Sequence, residues 1–324
     1  MTETVALPVR GPFDLAASIR FLEGFTPAGR PDAGRHRGTL ALAFPAAPSW
    51  RPVGVRLRQE GDLGASRRDS TTGEGGVLGR PGGERETRVL AEIDAHPDDV
   101  GPATEHARRI LSLDVDGTGF AAIDDPHVAR LRQEHPGLRP VLFHSPYEAA
   151  CWSVIGHRIR IVQAAAIKQR MAERLGDRVG GLASFPGPER LLTVTDVPGL
   201  PPVKIERLHG IARAALDGDL DAGRLRAMET AQALVELQRI PGIGLFSAEL
   251  ILIRGAGHPD VFPASERRLH DEMAHEYGLH DPSPARLAAI AEAWRPYRSW
   301  VGLLLRVRRE LETAEIARGR RVTR

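Results

Sequence analysis

The chain of 324 residues is poor in cysteine and has no long apolar run. Cys151 is its only cysteine, which excludes an internal disulfide, a four-cysteine zinc site and a four-cysteine iron–sulfur cluster. A membrane-spanning helix needs roughly 18 or more apolar residues in a row, and no such run occurs. The N-terminus also lacks the basic and then apolar order of a signal peptide. We therefore expect a cytoplasmic protein that has no membrane partner.

Lysine is almost absent as well, because Lys168 and Lys204 are the only lysines among 44 basic residues. A GC-rich genome would also produce such an excess of arginine. A reaction through a Schiff-base lysine therefore has two candidates only. The net charge of +2 does not by itself indicate a nucleic-acid partner. The histidines show no metal-ligand spacing, so we expect no metal bound by side chains, and no cofactor.

The first 110 or so residues are typical of a mixed helix and sheet module. Helical spacing of apolar residues predicts a helix within Pro12–Phe25. Alternating patterns predict three strands, in "GTLALAF", "VGVRLRQEG" and "TRVLAEIDAH". Between the last two lies a polar, glycine-rich segment, Gly64–Glu86, which we expect to be a loop with a short strand at Val77–Leu78.

The remainder of the chain has helical periodicity nearly to its end. The fold class predicted is α+β, with an antiparallel-sheet module at 1–110 and an all-helical core at 111–324. The predicted helices are Ala103–Leu113, Asp125–Glu134, Pro146–Leu175, Gly187–Leu192, Lys204–Asp217, Asp221–Ala227, Thr230–Gln238, Leu245–Arg254, Ser265–Tyr277, Pro284–Trp294 and Tyr297–Thr313.

One stretch of this core, "IPGIGLFSA", has the form of a helix, a tight turn and a second helix. Pro241 ends the first helix, and Gly242 and Gly244 permit a turn without a Cβ in the way. The second helix begins near Leu245, and its free N–H groups form an anion site. An ordinary packing corner between helices gives the same pattern in part. The complete pattern favours a site for a DNA phosphate.

These residues resemble the helix-hairpin-helix DNA glycosylase superfamily, and specifically its bacterial DNA-3-methyladenine glycosylase II group. The resemblance extends, with gaps, over most of the chain and includes "PFDLAASIRFLEGF", "FPGPERL", "LHGIARAALDG" and "AWRPYRSWVGLLL". It implies a protein, expected to be a monomer, that acts on double-stranded DNA containing damaged bases. It also implies that backbone N–H groups of Gly242, Ile243, Gly244 and Phe246 bind phosphate, and that hairpin carbonyls hold a monovalent cation.

The catalytic carboxylate of the family is an aspartate that follows a "Val-Phe-Pro" loop at the start of a helix. In "DVFPASERRL" the matching residue is Glu266, and Ser265 stands where a second acid is often found. Glu266 keeps the charge and moves it one methylene further out, so it is a candidate for a weakened or retuned catalyst. The alternative is that Glu266 only favours a helix N-terminus, as carboxylates do.

Strand-cleaving relatives carry a lysine two residues after the second hairpin glycine. This chain has Phe246 at that position, which predicts monofunctional base removal that leaves an abasic site.

Other functional positions depart from the family. His157 stands at a glutamine position, and Arg158 stands where an apolar side chain inserts into the DNA. The base pocket, aromatic in the family, corresponds to Phe246, Leu250 and Arg306. Arg158 can stack in the gap left by a flipped base or contact a phosphate. Arg306 would repel a cationic alkylpurine.

Two functions follow from these patterns. The first is a monofunctional base-excision glycosylase acting on a damaged, alkylated base. The second is a non-catalytic DNA-binding relative that recognises distorted or damaged duplex. A regulatory protein would need a fused effector or methyl-acceptor domain with several cysteines, which this chain lacks. The arginine-rich tail that begins at Arg306 would contact DNA or end as a solvated helix.

Overall fold

The N-terminal part of the protein is a four-stranded antiparallel sheet covered by helices. A computed structural model describes residues 1–24, 38–61 and 87–314. The strand order is β1-β4-β3-β2, with bounds Thr2–Pro8 for β1, Thr39–Ala46 for β2, Arg51–Glu60 for β3 and Arg88–Asp94 for β4. The three predicted strands are confirmed as β2, β3 and β4. The edge strand β1, which was not predicted, pairs with β4 in a register that puts Ala6 opposite Leu90.

Helices make up most of the remaining described chain. Their bounds are Leu15–Gly24 (α1), Val100–Ile110 (α2), Pro126–Glu134 (α3), Pro146–Gly156 (α4), Ile161–Leu175 (α5), Pro188–Leu192 (α6), Pro202–Leu216 (α7), Ala222–Ala227 (α8), Thr230–Gln238 (α9), Leu245–Leu250 (α10), Arg267–Glu276 (α11), Pro284–Ala291 (α12) and Arg298–Thr313 (α13). A two-stranded hairpin, β5 (Arg178–Val179) with β6 (Leu182–Ala183), lies between α5 and α6. The mixed helix and sheet composition that the sequence predicts is confirmed.

Two predicted helices differ from the structure in their interiors. The single helix expected over Pro146–Leu175 is wrong, because the chain turns at residues 157–160 and forms α4 and α5 instead. Arg158 has a φ of +58° in this turn, a left-handed value that a continuous α-helix does not contain. The helix expected over Leu245–Arg254 is α-helical only to Leu250, and Ile251–Gly255 forms a π-helical turn.

Buried apolar side chains form two clusters that divide the helices between them. The first joins the sheet and α1–α3 to α11–α13, and the second joins α4–α10. Val261 belongs to the second cluster and Leu269 to the first, so the chain between these two residues passes from one cluster to the other. The domain boundary expected near residue 110 stays a prediction.

Some expectations fall on parts of the chain for which no structure is described. The glycine-rich segment with its predicted strand at Val77–Leu78, and the tail beyond residue 314, lie outside the described residues. Within the described ranges, no helix combines the length and apolar character needed to cross a bilayer.

Candidate active site

The predicted hairpin is present as the turn between α9 and α10. Ile240 and Ile243 are buried and anchor the turn in the second apolar cluster. The Ile243 N–H donates to the Ile240 carbonyl at 3.0 Å, so this residue holds the turn together. Gly242 has a φ of +92°, and a Cβ there would lie 2.6 Å from Cδ of Arg207. A glycine at this position is therefore required by the fold.

Gly244 differs from Gly242 in that the fold does not require a glycine there. Its φ of −95° with ψ of −179° is an extended conformation that any residue adopts. No described atom lies within 4 Å of the position that a Cβ would take. Gly244 therefore keeps open the space in front of the first turn of α10, where helix N–H groups have no intrahelical acceptor. Such a space suits a ligand that approaches the backbone closely.

Glu266 lies on the loop that connects the two apolar clusters, at the residue that caps α11. Its Oε1 accepts a hydrogen bond from the Arg268 N–H at 3.1 Å, and its side chain is partly buried. Within the described part of the chain, Oε2 accepts no hydrogen bond. The capping role that the sequence left open is thus realised, and one carboxylate oxygen is still available for chemistry.

A second carboxylate, that of Glu249, accepts hydrogen bonds from the backbone of this loop. Glu249 is on α10 and is only 3% exposed. Its Oε1 accepts from the Ala264 N–H at 2.9 Å, and its Oε2 accepts from the Ser265 N–H at 3.1 Å and from the Ser265 hydroxyl. The helix that begins at the hairpin therefore binds directly to the two residues before Glu266. Sequence reasoning missed Glu249, although a charge among the apolar residues of a buried helix was a signal.

The first residues of α13 hold the other end of the same loop. The Ser299 hydroxyl accepts from the Val261 N–H at 3.0 Å and donates to the Val261 carbonyl at 3.1 Å. The Ser299 N–H donates to the Pro259 carbonyl at 2.9 Å, and Arg298 binds the Asp260 carboxylate at 2.7 Å. These contacts explain why the "RPYRSW" element accompanies the Val-Phe-Pro loop in the sequence.

The three expected base-pocket residues come from two helices. Phe246 and Leu250 lie one turn apart on α10, while Arg306 is on α13. The Phe246 side chain is 51% exposed, Leu250 is partly buried and Arg306 is buried. An exposed Phe246 at the start of α10 is available to a ligand bound at the hairpin.

The turn at residues 157–160 presents the two expected intercalation residues to solvent. His157 and Arg158 are both exposed. Lys204, from the first turn of α7, fixes this turn by donating to the Ile155 and His157 carbonyls at 2.8 Å each. Desolvation, followed by the charges of Arg158, Lys204 and Arg207, lowers the pKa of His157 below its usual value.

Both lysines are engaged in contacts of the fold. Lys204 caps the end of α4 as described above. Lys168 forms an ion pair with the buried carboxylate of Glu148 and lies 5.9 Å from the centre of the Phe143 ring. Neither lysine belongs to the hairpin or to the Glu266 loop.

Metal ions need donor sets of several side chains. Within the described ranges, no group of three or more His, Cys, Asp or Glu side chains is placed to hold a metal ion.

The chain is similar in sequence to DNA glycosylases over part of its length. No family model matches the chain. Over 180 residues it is 30% identical to DNA-3-methyladenine glycosylase 2 of Escherichia coli, covering 53% of this chain and 61% of that protein. Over 206 residues it is 29% identical to the DNA-3-methyladenine glycosylase of Bacillus subtilis, covering 60% of this chain and 68% of that protein. The match therefore spans less than two thirds of the Escherichia coli relative.

The fold extends further than these sequence matches. The solved 3-methyladenine DNA-glycosylase of Archaeoglobus fulgidus superimposes with a TM-score of 0.71 at 20% identity. The superposition covers 95% of this chain and 99% of that one, so the two share a fold over nearly their whole length.

Proposed function

We propose that the chain is a member of the helix-hairpin-helix DNA glycosylase superfamily and that it is a monofunctional DNA glycosylase. Its substrate is duplex DNA containing a damaged base, for which an alkylated base is the leading candidate. It acts as a cytoplasmic monomer, without a cofactor, and leaves an abasic site.

The open space at Gly244 supports DNA binding through the hairpin. A phosphate oxygen can approach the backbone there, because no described residue other than the two chain neighbours comes within 4 Å of the position of a Cβ on Gly244. The N–H groups of the first turn of α10 then donate to it, and the helix dipole adds a favourable field. Leu245 and Phe246 are 44% and 51% exposed beside this space, where they can contact the sugar or base next to the bound phosphate.

The position of Glu266 supports base excision. Once a nucleotide is flipped from the stack, its C1′–N bond breaks with build-up of positive charge on the sugar. A carboxylate near C1′ stabilises that charge and accepts a proton from the water whose oxygen adds to C1′. The base departs with the bonding electrons and, where it leaves as an anion, takes up a proton from solvent. In Glu266 the capping bond orients Oε1 and leaves Oε2 for this role.

Base removal without strand cleavage follows from the contacts of the lysines. A lyase step needs an amine that attacks C1′, and the hairpin offers Phe246 in its place. Lys204 donates to two carbonyls, and Lys168 is paired with Glu148. Neither amine is free to form an imine with the sugar.

One observation carries the proposal most directly: the carboxylate of Glu249 joins the phosphate-binding helix to the loop of Glu266. Both backbone N–H groups that precede Glu266 donate to it. A phosphate bound at Gly244 and the carboxylate of Glu266 are therefore held at a fixed distance from each other through Glu249. Such fixed geometry between a bound substrate and a catalytic group is what rate enhancement by positioning requires.

The second candidate function is damage recognition without catalysis. The hydrogen bond from Arg268 N–H gives Glu266 a structural role that is sufficient to explain a carboxylate there. In this case the hairpin and the turn at His157–Arg158 bind distorted duplex, and no base is released.

A panel of duplexes, each with one damaged base, separates the two functions. The protein is incubated with each duplex, and abasic sites are converted to strand breaks with alkali. Excision of at least one lesion, with a loss of about 10²–10³ in rate for Glu266→Gln at unchanged DNA affinity, supports the glycosylase.

Turnover by Glu266→Gln at the parent rate would show that another group carries the chemistry. Tight binding of damaged duplex by the parent, with no abasic site on any lesion, would establish the recognition protein. Gly244→Asp is the matched binding control, because it places a negative charge in open space and leaves the turn intact.

A further inference from the structure

Arg207 connects the hairpin with the turn at residues 157–160. It lies on α7, three residues after Lys204, and its side chain runs across the hairpin turn. The Cδ, Cγ and Nε atoms of Arg207 lie 2.6, 3.1 and 3.1 Å from the position of a Cβ on Gly242. The charge of Arg207 also lowers the pKa of both His157 and Lys204. Arg207 therefore lies against the hairpin, while Lys204, one turn earlier on the same helix, binds the turn at residues 157–160 through the His157 carbonyl at 2.8 Å.

These basic groups lack acidic partners in the described part of the chain. There, Arg207, Arg158 and the His157 side chain form no hydrogen bond and no ion pair, and Lys204 donates only to carbonyls. Most other arginines of the described chain are paired, as Arg56 is with Glu92 at 3.2 Å. Bringing like charges together costs free energy unless an anion joins them. A cluster that is both basic and unpaired indicates an anion site.

We propose that Arg207 is the centre of a second phosphate site, completed by His157 and Arg158, on the surface between the hairpin and the turn. Its ligand is a backbone phosphate of the same DNA, next to the phosphate bound at Gly244. The inference rests on the proposed DNA binding and assigns to Arg207 a role that the hairpin itself does not have.

Methylenes of Arg207 that pack on Gly242 restrict its side chain before the DNA arrives, which reduces the entropy lost on binding. The guanidinium then presents its fork of N–H donors to phosphate oxygens, a geometry that a lysine does not provide. Arg158, an exposed residue of the neighbouring turn, adds a further positive charge.

The same site couples DNA binding to protonation of His157. In the free protein, desolvation and then the charges of Arg158, Lys204 and Arg207 oppose protonation of His157 and lower its pKa. A bound phosphate reverses this field and favours the imidazolium. Binding therefore takes up a proton, and DNA affinity decreases as the pH rises through the pKa of His157 in the complex.

The test measures binding of a short labelled duplex that contains a stable abasic-site analogue, by fluorescence anisotropy over a range of salt. Arg207→Met keeps the apolar contact with Gly242 and removes the charge. We expect the slope of log affinity against log salt to decrease by about 0.9, and affinity at about 0.1 M salt to fall roughly tenfold. Arg207→Lys should recover part of the slope.

Arg56→Met is the matched control, because it removes one exposed arginine charge from the N-terminal sheet. Arg207→Met with the slope and affinity of this control would overturn the inference, and so would weaker binding with an unchanged slope. In either case a strong loss of binding by Gly244→Asp leaves the proposed function standing. Absence of duplex binding by the parent would instead refute both.

The pKa of His157 in the free protein, measured by NMR, gives a second test. Arg207→Met should raise the pKa of His157, because a charge that opposes its protonation is gone. His157→Gln should abolish the component of the pH dependence of DNA affinity that comes from this ring. An unchanged pKa in Arg207→Met, or an unchanged pH profile in His157→Gln, would contradict the proton coupling.

Discussion

Removing the charge of Glu249 tests whether this carboxylate holds the catalytic loop. In Glu249→Gln the side chain keeps its shape, but the amide nitrogen cannot accept a hydrogen bond. In the parent protein, the Glu249 carboxylate accepts hydrogen bonds from two backbone N–H groups and one hydroxyl. The hydroxyl of Ser265 can rotate and accept from the new amide, whereas one backbone N–H loses its acceptor.

The expected cost follows from these contacts. A buried donor without an acceptor costs about 1–3 kcal/mol, so Glu249→Gln should lower the free energy of unfolding by about that amount. Glu249→Ala strands both N–H groups, which predicts a loss of roughly 2–6 kcal/mol. Excision should decrease in maximal rate while DNA affinity is retained, because the hairpin is unchanged and only the loop of Glu266 is less well fixed.

Urea unfolding followed by circular dichroism measures the stability, and single-turnover excision measures the rate. Glu236→Gln is the control, since Glu236 is a partly exposed carboxylate on α9 whose ion pair with Arg239 is at the surface. We expect the control to lose less than about 1 kcal/mol. Glu249→Gln with the stability and rate of this control would refute the role assigned to Glu249.

Three further predictions concern the chemistry and the acid stability. Glu266→Asp should excise more slowly than the parent, because the shorter side chain withdraws the carboxylate from the position that Glu266 gives it. Faster excision of alkylated purines by this variant would show that the site still fits the aspartate of the family. Borohydride should trap no covalent protein–DNA adduct, and an adduct that disappears in Lys168→Met or Lys204→Met would contradict this. Burial, then Arg109, lowers the pKa of His106 to about 3, so the unfolded chain binds the extra proton and stability should fall as the pH drops from about 6.5 towards 3. His106→Gln should reduce that dependence by up to about 1.4 kcal/mol per pH unit in urea unfolding, and an unchanged dependence would locate it elsewhere.

The features that the sequence predicts well depend only on residues that are neighbours in the chain. The hairpin depends on Pro241, two glycines and two flanking apolar residues, all of which are neighbours. Three of the four sheet strands show alternation over seven or more residues, which is sufficient to identify them. The cap at Glu266 likewise needs only the residue itself and the helix that follows.

The features that it does not predict depend on residues brought together by the fold. Strand β1 has little alternation of its own and exists because β4 offers it a partner along its full length. The break between α4 and α5 is fixed by Lys204, which belongs to α7. The roles of Glu249 and Arg207 require the loop and the turn that they contact, and no local pattern contains those contacts.

The departures from the family pattern fall in a restricted part of the molecule. His157, Arg158, Leu250 and Arg306 are the positions expected to meet the flipped base or the gap that it leaves. The loop before Glu266, in contrast, is held at Val261 by Ser299 and at Ala264 and Ser265 by Glu249. We therefore expect a change of lesion at these positions, and an arginine at the expected pocket position 306 favours a neutral base over a cationic one.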